Sequence, residues 1–340
     1  MRIAIIGTGG MAAQHVAAYQ KMPNVTVVAG VDTNENSLNQ FCATHNIEHK
    51  FSSVANLVSW GEFDGVSNVT PDSVHYATSL ELMAAKKHIL CEKPLASNFA
   101  HADEMAKAAA NAGIVNMVNL SYRNVGVIDK AATLVADGAI GEVKHIEASY
   151  LQSWLVQPAW GDWKTEPQWL WRLSTLHGSK GVLGDVGVHI LDFATYVAGS
   201  LPKHLSCQLH TFHKADNDKI GDYKLDANDS FVMQFQLENG ALGTLSATRF
   251  ASGHINDLRL RIFGDKGGLE IDLNSEQGQI RGCLGDDLEA AIWRDIEFDE
   301  VKTNYQKFVD AMRTHTQCEP SFKRGADLQR ILDAAEASSS

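Results

Sequence analysis

Over the first 120 residues, short aliphatic and β-branched runs alternate with longer stretches in which apolar residues recur every three or four positions. RIAIIG, VTVVAGVD, DGVSNVT, HILCEKP and IVNMVNL are apolar almost without interruption, the pattern of strands covered on both faces. Between them AAQHVAAYQKM, ENSLNQFCATHN, SVHYATSLELMAAK and NFAHADEMAKAAANAG have helical spacing. The last begins after Ser97 or Asn98, either of which can cap it, and stops at Gly113. Such alternation predicts an α/β fold, a doubly wound parallel sheet with helices on both faces.

From about residue 123 the pattern changes. The helical segment VIDKAATLVADG precedes GEVKHIEASYLQ, which alternates as a strand, and a tryptophan-rich loop over 154–171 follows. GVLGDVGVHILDF, 181–193, has the spacing of a helix. On a helical count Val186, Ile190, Phe193 and Val197 form one stripe, and Asp185, His189 and Asp192 form a second about 100° round. Residues 203–284 read as strands in hairpin order, with Asn239-Gly240 as a turn signal, and helices close the chain before serines expected to fray. The expectation is an α/β domain over 1–122 and an α+β domain with a large, mostly antiparallel sheet over 123–340.

Composition narrows the function. The net charge of −12, with no lysine- or arginine-rich run to offset it, argues against a nucleic-acid or anionic-membrane partner. Five scattered cysteines without a CxxC fit a reducing compartment and offer neither a disulfide framework nor a zinc site, so no metal is expected. The N-terminus MRIAIIGTGG is too short for a signal-peptide core, and no apolar run approaches a membrane span; a soluble, cytoplasmic protein is expected.

Gly7-Thr8-Gly9-Gly10-Met11-Ala12 gives G-x-G-x-x-A between a strand and a helix. Gly7 permits the tight turn, Gly9 lets backbone approach a pyrophosphate, and Ala12 allows close helix packing over free N–H groups that include those near Gly10 and Met11. Asp32 lies 20 residues beyond Ala12 at the end of the second strand, where a carboxylate accepts the ribose hydroxyls. It would repel a 2′-phosphate, and Thr33-Asn34 offers no cation to hold one, so NAD is the expected cofactor.

Two further loops fall at the carboxyl ends of strands, where ligands bind in such sheets. Thr70-Pro71 ends one strand and starts a helix carrying His75; Glu92-Lys93-Pro94 ends the next. Thr70, Pro71, His75, Glu92 and Lys93 are accordingly expected around the cofactor, although a histidine at position 75 is also an ordinary helix-surface residue. The Lys93 ammonium can stabilise the charge that develops on a hydroxyl oxygen.

Together, Gly7-x-Gly9-x-x-Ala12, Asp32, Thr70-Pro71, Glu92-Lys93-Pro94, Gly138-Ala-Ile-Gly-Glu-Val143 and Asp185-x-Gly187-x-His189-x-x-Asp192 resemble the glucose–fructose oxidoreductase/inositol dehydrogenase/MocA family, over most of the chain up to about residue 200. The resemblance implies a Rossmann domain, an α+β substrate-binding domain whose open sheet serves oligomerisation as a homodimer or homotetramer, and NAD(P)-linked chemistry on a sugar, cyclitol or related polyol. It matches Lys93, Asp185 and His189 to the family's catalytic residues. Asn124-Val125-Gly126 stands where the family often has a proline, so Tyr122 is assigned only a substrate contact.

Hydride transfer from a carbinol carbon must be coupled to loss of the hydroxyl proton, and a histidine suits that step near neutral pH. His189 is thus the expected general base, Asp185 its orienting acid, and Asp192 a ligand of a neighbouring hydroxyl. SWLVQPAWGDWKTEPQWLWRL, 153–173, holds five of the seven tryptophans. Its rings can stack on a sugar, with Arg172 and Asp162 on hydroxyls, or can fill an interface or cover the sheet edge. Two other readings compete: a glycosidase of the same fold using transient redox at NAD, and a non-catalytic dinucleotide sensor.

Overall fold

The computed structural model describes residues 1–158, 160–274 and 278–339. The chain forms two compact units, one of Met1–Ser121 with Lys302–Arg330, the other of Tyr122–Val301 with the residues from Ile331 on.

In the first unit, β1 (Arg2–Ile6), β2 (Thr26–Val31), β3 (His49–Phe51), β4 (Gly65–Asn68), β5 (His88–Cys91) and β6 (Asn116–Val118) make one sheet in the order β3-β2-β1-β4-β5-β6. Every pairing is parallel. The crossovers carry α1 (Ala12–Gln20), α2 (Glu35–His45), α3 (Val54–Trp60), α4 (Asp72–Ala84) and α5 (Phe99–Ala112). This is the doubly wound order of a dinucleotide-binding fold. Asn98 caps α5 by accepting from the His101 amide, and Gly113 ends it in the left-handed region. The strand β3 has a single apolar residue, and the seven-residue α3, though apolar, is too short to show a helical period, so neither is read from sequence.

The chain returns to this unit near its end. Tyr305, Phe308, Val309, Ala311 and Met312 pack into the same core as Ile3, Ile5, Val16, Tyr19, Leu90 and Met117. Residues 302–330 therefore differ from the expectation that everything beyond 122 forms the second domain. An apolar helix face reveals that something is covered, not what.

The second unit holds α6 (Gly126–Ala136), β7 (Val143–Leu151), α7 (Pro167–Leu170), α8 (Val188–Val197) and β8 (Pro202–His210). The two-residue strands β9 (Lys219–Ile220) and β10 (Tyr223–Lys224) follow, then β11 (Ser230–Leu237), β12 (Leu242–Thr248), β13 (Asp257–Gly264), β14 (Gly267–Leu273), β15 (Gln279–Leu284) and β16 (Arg294–Asp295). Its main sheet has the order β16-β15-β14-β13-β7-β12-β11-β8, antiparallel except where β12 runs parallel to β7. Gly240, at φ +91°, closes the β11–β12 hairpin at the expected turn. One sheet face buries Phe231, Met233, Phe235, Leu245, Ala247, Leu260 and Ile262. The other exposes Val232 and Leu242 and carries cross-strand charges, Arg261 lying 3.6 Å from Glu147 and 3.4 Å from Glu270. The serines expected to fray instead close a sheet edge: Ser338 Oγ accepts from the Cys207 amide at 2.9 Å and Ser339 Oγ from the Leu209 amide at 2.8 Å. Among the described residues no helix is long and apolar enough to cross a membrane.

Candidate active site

The loop between β1 and α1 is shaped by its glycines. Gly7 has φ +86°, and a Cβ there would lie 2.7 Å from the Val69 carbonyl oxygen. At Gly9 and Gly10 a Cβ would meet nothing within 4 Å, so the chain leaves open space above the helix N-terminus. Ala12 is fully buried, and no side chain caps α1 at Met11. Space, a helix N-terminus and bare backbone suit a diphosphate.

Asp32 stands beside that loop. Its Oδ2 accepts from the Thr8 amide at 2.8 Å and the Thr8 hydroxyl at 2.7 Å, and its Oδ1 accepts from the Asn34 amide at 2.8 Å. Burial is the largest single influence and pushes its pKa up, but the bonds from Thr8, Asn34 and Thr33 together hold it below the usual carboxylate range. The carboxylate is thus a fixed anion, suited to ribose hydroxyls and hostile to a 2′-phosphate. These residues fit the dinucleotide the sequence implies.

The neighbouring loops are braced from within. Thr70 donates its hydroxyl to Asn68 Oδ1 at 2.7 Å, directly before Pro71. His75 is buried, not on the helix surface: Nδ1 lies 2.9 Å from the Pro94 carbonyl and Nε2 lies 2.8 Å from the Thr70 carbonyl. His75 thus stands between the Thr70 loop and the Lys93 loop, with each ring nitrogen turned to a carbonyl of one of them. Glu92 is likewise internal. Oε1 meets His15 Nε2 at 2.8 Å and accepts from Asn119 Nδ2 at 2.6 Å, while Oε2 accepts from the Lys93 amide at 3.2 Å. Burial pushes its pKa up, but His15 and Asn119 outweigh that and bring it down to about 2. Asn119 also donates to Tyr305 on α9 (Asn304–Thr314) at 3.1 Å. Lys93 thus sits on a backbone held by a buried polar hub.

In the second unit, Leu183–Gly187 forms a wide π-helical turn that runs into α8. The 181–193 segment is therefore not one regular α-helix, and Asp185 stands on the wide turn rather than on α8. Such turns recur at functional sites because they displace a side chain from its α-helical direction. Val186, Ile190, Phe193 and Val197 are buried as expected, but so are His189 and Asp192.

Asp185 is held by two guanidiniums. Arg172 Nη1 donates to Oδ1 at 3.1 Å, and Arg249 Nη2 donates to Oδ2 at 3.1 Å. The Tyr122 ring meets His189 edge-on, with centroids 5.1 Å apart. Tyr122 Oη is 2.7 Å from Tyr150 Oη and accepts from Asn256 Nδ2 at 3.0 Å, while Tyr150 donates to Asn256 Oδ1 at 2.6 Å. Asp192, expected on a neighbouring hydroxyl, is 2% exposed and takes a two-pronged bond from Arg123.

The tryptophan segment divides. Trp154 and Trp163 are buried with Leu155, Leu170, Leu173 and Leu225, whereas Trp160 and Trp171 are exposed. The Arg172 guanidinium lies 4.8 Å from the Trp171 ring centroid. Asp162 turns inward on its own loop, accepting from the Lys164 amide at 3.0 Å.

Sequence reading passed over Arg123, Tyr150, Arg249 and Asn256. Arg249 left a legible mark: it continues the two-residue alternation of Leu245 and Ala247 just past the end of β12, so a charge stands in an apolar register. Arg123, Tyr150 and Asn256 left none, because their partners lie far along the chain.

The profile of an oxidoreductase family with an NAD-binding Rossmann fold matches residues 1–120, and that of the GFO/IDH/MocA C-terminal domain matches residues 128–270. An oxidoreductase domain protein from Kribbella flavida is 31% identical with a TM-score of 0.86, over 99% of this chain and 96% of that one. Levoglucosan dehydrogenase from Pseudarthrobacter phenanthrenivorans is 25% identical over 98% of this chain and 95% of its own. Myo-inositol 2-dehydrogenase from Thermotoga maritima is also 25% identical, over 89% of this chain and 86% of its own.

Proposed function

The chain belongs to the GFO/IDH/MocA family of NAD-binding oxidoreductases, and on that premise we propose that it oxidises a secondary hydroxyl of a sugar, cyclitol or related polyol, with NAD preferred over NADP. The observation that carries the reading is the buried His189, packed edge-on by Tyr122 and preceded by an Asp185 that two arginines hold in place.

When bound, the nicotinamide supplies the hydride acceptor. His189 takes the proton of the reacting hydroxyl in oxidation and returns it in reduction. Lys93 stabilises negative charge on that oxygen. Asp185 and Arg172, both partly exposed, offer an acceptor and a donor to neighbouring hydroxyls. Tyr122 limits the freedom of the His189 ring. Fixed Asp32 sets the cofactor preference, since a 2′-phosphate brought beside it would meet a like charge. The relatives that act on levoglucosan and myo-inositol support a polyhydroxylated ring as the substrate class. The cytoplasm, and assembly through the open face of the eight-stranded sheet, complete the proposal.

A panel of sugars, inositols and their keto derivatives, scanned at 340 nm with NAD or NADH, tests the reading. Stoichiometric NADH formation with at least one polyol is expected. Sugar release without net NADH, or no turnover with any member, would overturn it.

A further inference from the structure

We propose that Arg249 is a positioning residue for substrate binding: from its buried position it fixes both the Asp185 carboxylate and the Arg172 backbone, and so sets the geometry in which the Arg172–Asp185 pair receives a substrate diol. This rests on the assignment of Asp185 and Arg172 to the polyol site.

Arg249 follows β12 directly and is fully buried. Its backbone is pinned on both sides, its amide donating to the Asp229 carbonyl at 3.0 Å and its carbonyl accepting from Leu155 at 3.3 Å. From this fixed root the guanidinium forks. Nη2 donates to Asp185 Oδ2 at 3.1 Å, and Nη1 donates to the Arg172 carbonyl at 3.1 Å. The Trp154 ring covers the group, its centroid 4.9 Å from Cζ. Arg172 closes the triangle by donating Nη1 to Asp185 Oδ1 at 3.1 Å.

Asp185 and Arg172 are 13 residues apart, and one side chain therefore locks the two segments together. The exposure pattern divides the labour. The Asp185 and Arg172 side chains are 26% and 32% exposed, whereas that of Arg249 is 0% exposed. A ligand can reach the first two and not the third. A vicinal diol wants an acceptor and a donor at fixed separation, and a partly exposed Asp–Arg pair alone would hold that separation poorly, since solvated ion pairs are weak and mobile. Removing an arginine from water is unfavourable unless its charge and donors are met. Asp185 supplies the charge for Nη2, the Arg172 carbonyl a neutral acceptor for Nη1, and Trp154 the face, while Nε has no hydrogen-bond partner among the described residues. A lysine at 249 would keep the charge but lose the planar fork that reaches two acceptors at once.

The test is a double-mutant cycle on the intact enzyme, reading KM for the best polyol, KM for NAD and kcat for Arg249→Lys, Asp185→Asn and the pair. Arg249→Lys is expected to raise the polyol KM roughly ten-fold while the NAD KM stays within about two-fold. The double variant is expected to be no worse than Asp185→Asn, because Arg249 acts through that pair. Arg249→Gln, neutral and still able to donate to the Arg172 carbonyl, is made alongside and is expected to raise the polyol KM at least as far. A wild-type polyol KM in a folded Arg249 variant, losses that multiply in the double variant, or an equal rise in the NAD KM would overturn the proposal. Failure of both Arg249 variants to fold while Asp185→Asn folds would also overturn it, since Arg249 would then serve folding rather than positioning. An unmutated enzyme that turns over no polyol sinks the functional reading instead, which keeps the two failures apart.

Discussion

Arg123 grips Asp192 through two parallel hydrogen bonds, Nε to Oδ2 at 2.6 Å and Nη2 to Oδ1 at 2.8 Å, with both side chains buried. The same guanidinium stacks on Tyr196, 3.3 Å from its ring centroid. Arg123 adjoins Tyr122, and Asp192 lies three residues after His189, so the bridge fastens the tyrosine to the helix whose histidine it packs. Removing one partner of such a pair strands a buried charge, which costs about 3–5 kcal/mol. Asp192→Asn should therefore lower stability by that order in urea unfolding and reduce kcat as Tyr122 and His189 lose their registry. A selective rise in polyol KM at unchanged stability would instead restore Asp192 as a substrate ligand.

His189 carries the proton step in the proposed reaction, and that role separates cleanly from cofactor binding. His189→Ala should lower kcat by roughly two decades or more, the usual scale of a lost general base. NADH affinity, followed by fluorescence titration, should stay close to that of the unmutated enzyme, because the dinucleotide loop lies in the first unit. Near-normal turnover would remove His189 from the chemistry.

How legible was this in the chain? The parallel sheet and its glycine loop are local signals: continuous apolar strands, a motif of six residues and an acid at the end of the next strand. Asp32 and the Gly7 turn could be read because their chemistry is set by near neighbours. The membership of residues 302–330 could not, since Phe308 and Met312 declare an apolar face without declaring its partner. The 181–193 segment misled in a different way. A count of 3.6 residues per turn assumes a regular helix, and the wide turn at Leu183–Gly187 breaks that assumption where Asp185 sits. Asp192 looked free because its partner, Arg123, lies 69 residues away and no periodicity links them.

Asp32 should govern cofactor choice. Its hydrogen bonds to Thr8 and Asn34 hold it ionised, so it can accept from ribose hydroxyls and repel a 2′-phosphate. A charge-assisted hydrogen bond contributes about 1.5–3 kcal/mol. Asp32→Ala should thus lower kcat/KM for NAD by roughly 10- to 100-fold while the value for NADP falls less or rises. The ratio of the two constants is the readout. An unmutated enzyme that favours NADP, or a ratio indifferent to the substitution, would contradict the assignment.

His75 should act at a distance from the reacting atoms. Its ring lies between the Pro94 and Thr70 carbonyls and, when neutral, donates its one N–H to one of them, bracing the loops that carry Lys93 and Pro71. Burial pushes its pKa below the ordinary histidine value, against the opposing pull of those two carbonyls. A neutral buried imidazole adds stability above the unfolded pKa of about 6.5 and loses it as pH falls below that value. His75→Ala should raise the NAD KM and lower kcat together, and should remove part of the loss in Tm between pH 7 and pH 5. An unchanged slope of Tm against pH in the variant would count against a buried neutral His75.

Glu92 sets the acid limit of the first unit. Its folded pKa of about 2 lies below the ordinary value of 4.5, held down against burial by His15 and Asn119. The folded state therefore binds the proton less readily than the unfolded chain. The ionised group contributes stability above pH 4.5, and that contribution is lost as pH falls from there toward 2. A difference of that size is worth about 3 kcal/mol at neutral pH, with more than half gone by about pH 3. Glu92→Gln keeps the shape but cannot carry the charge. At pH 7 the variant should unfold at a clearly lower temperature than the unmutated protein, and the gap between the two Tm values should close as pH is lowered from about 5 to 3. Differential scanning calorimetry across that range is the measurement. A gap that stays constant throughout would mean that Glu92 is not titrating in the window its buried bonds require.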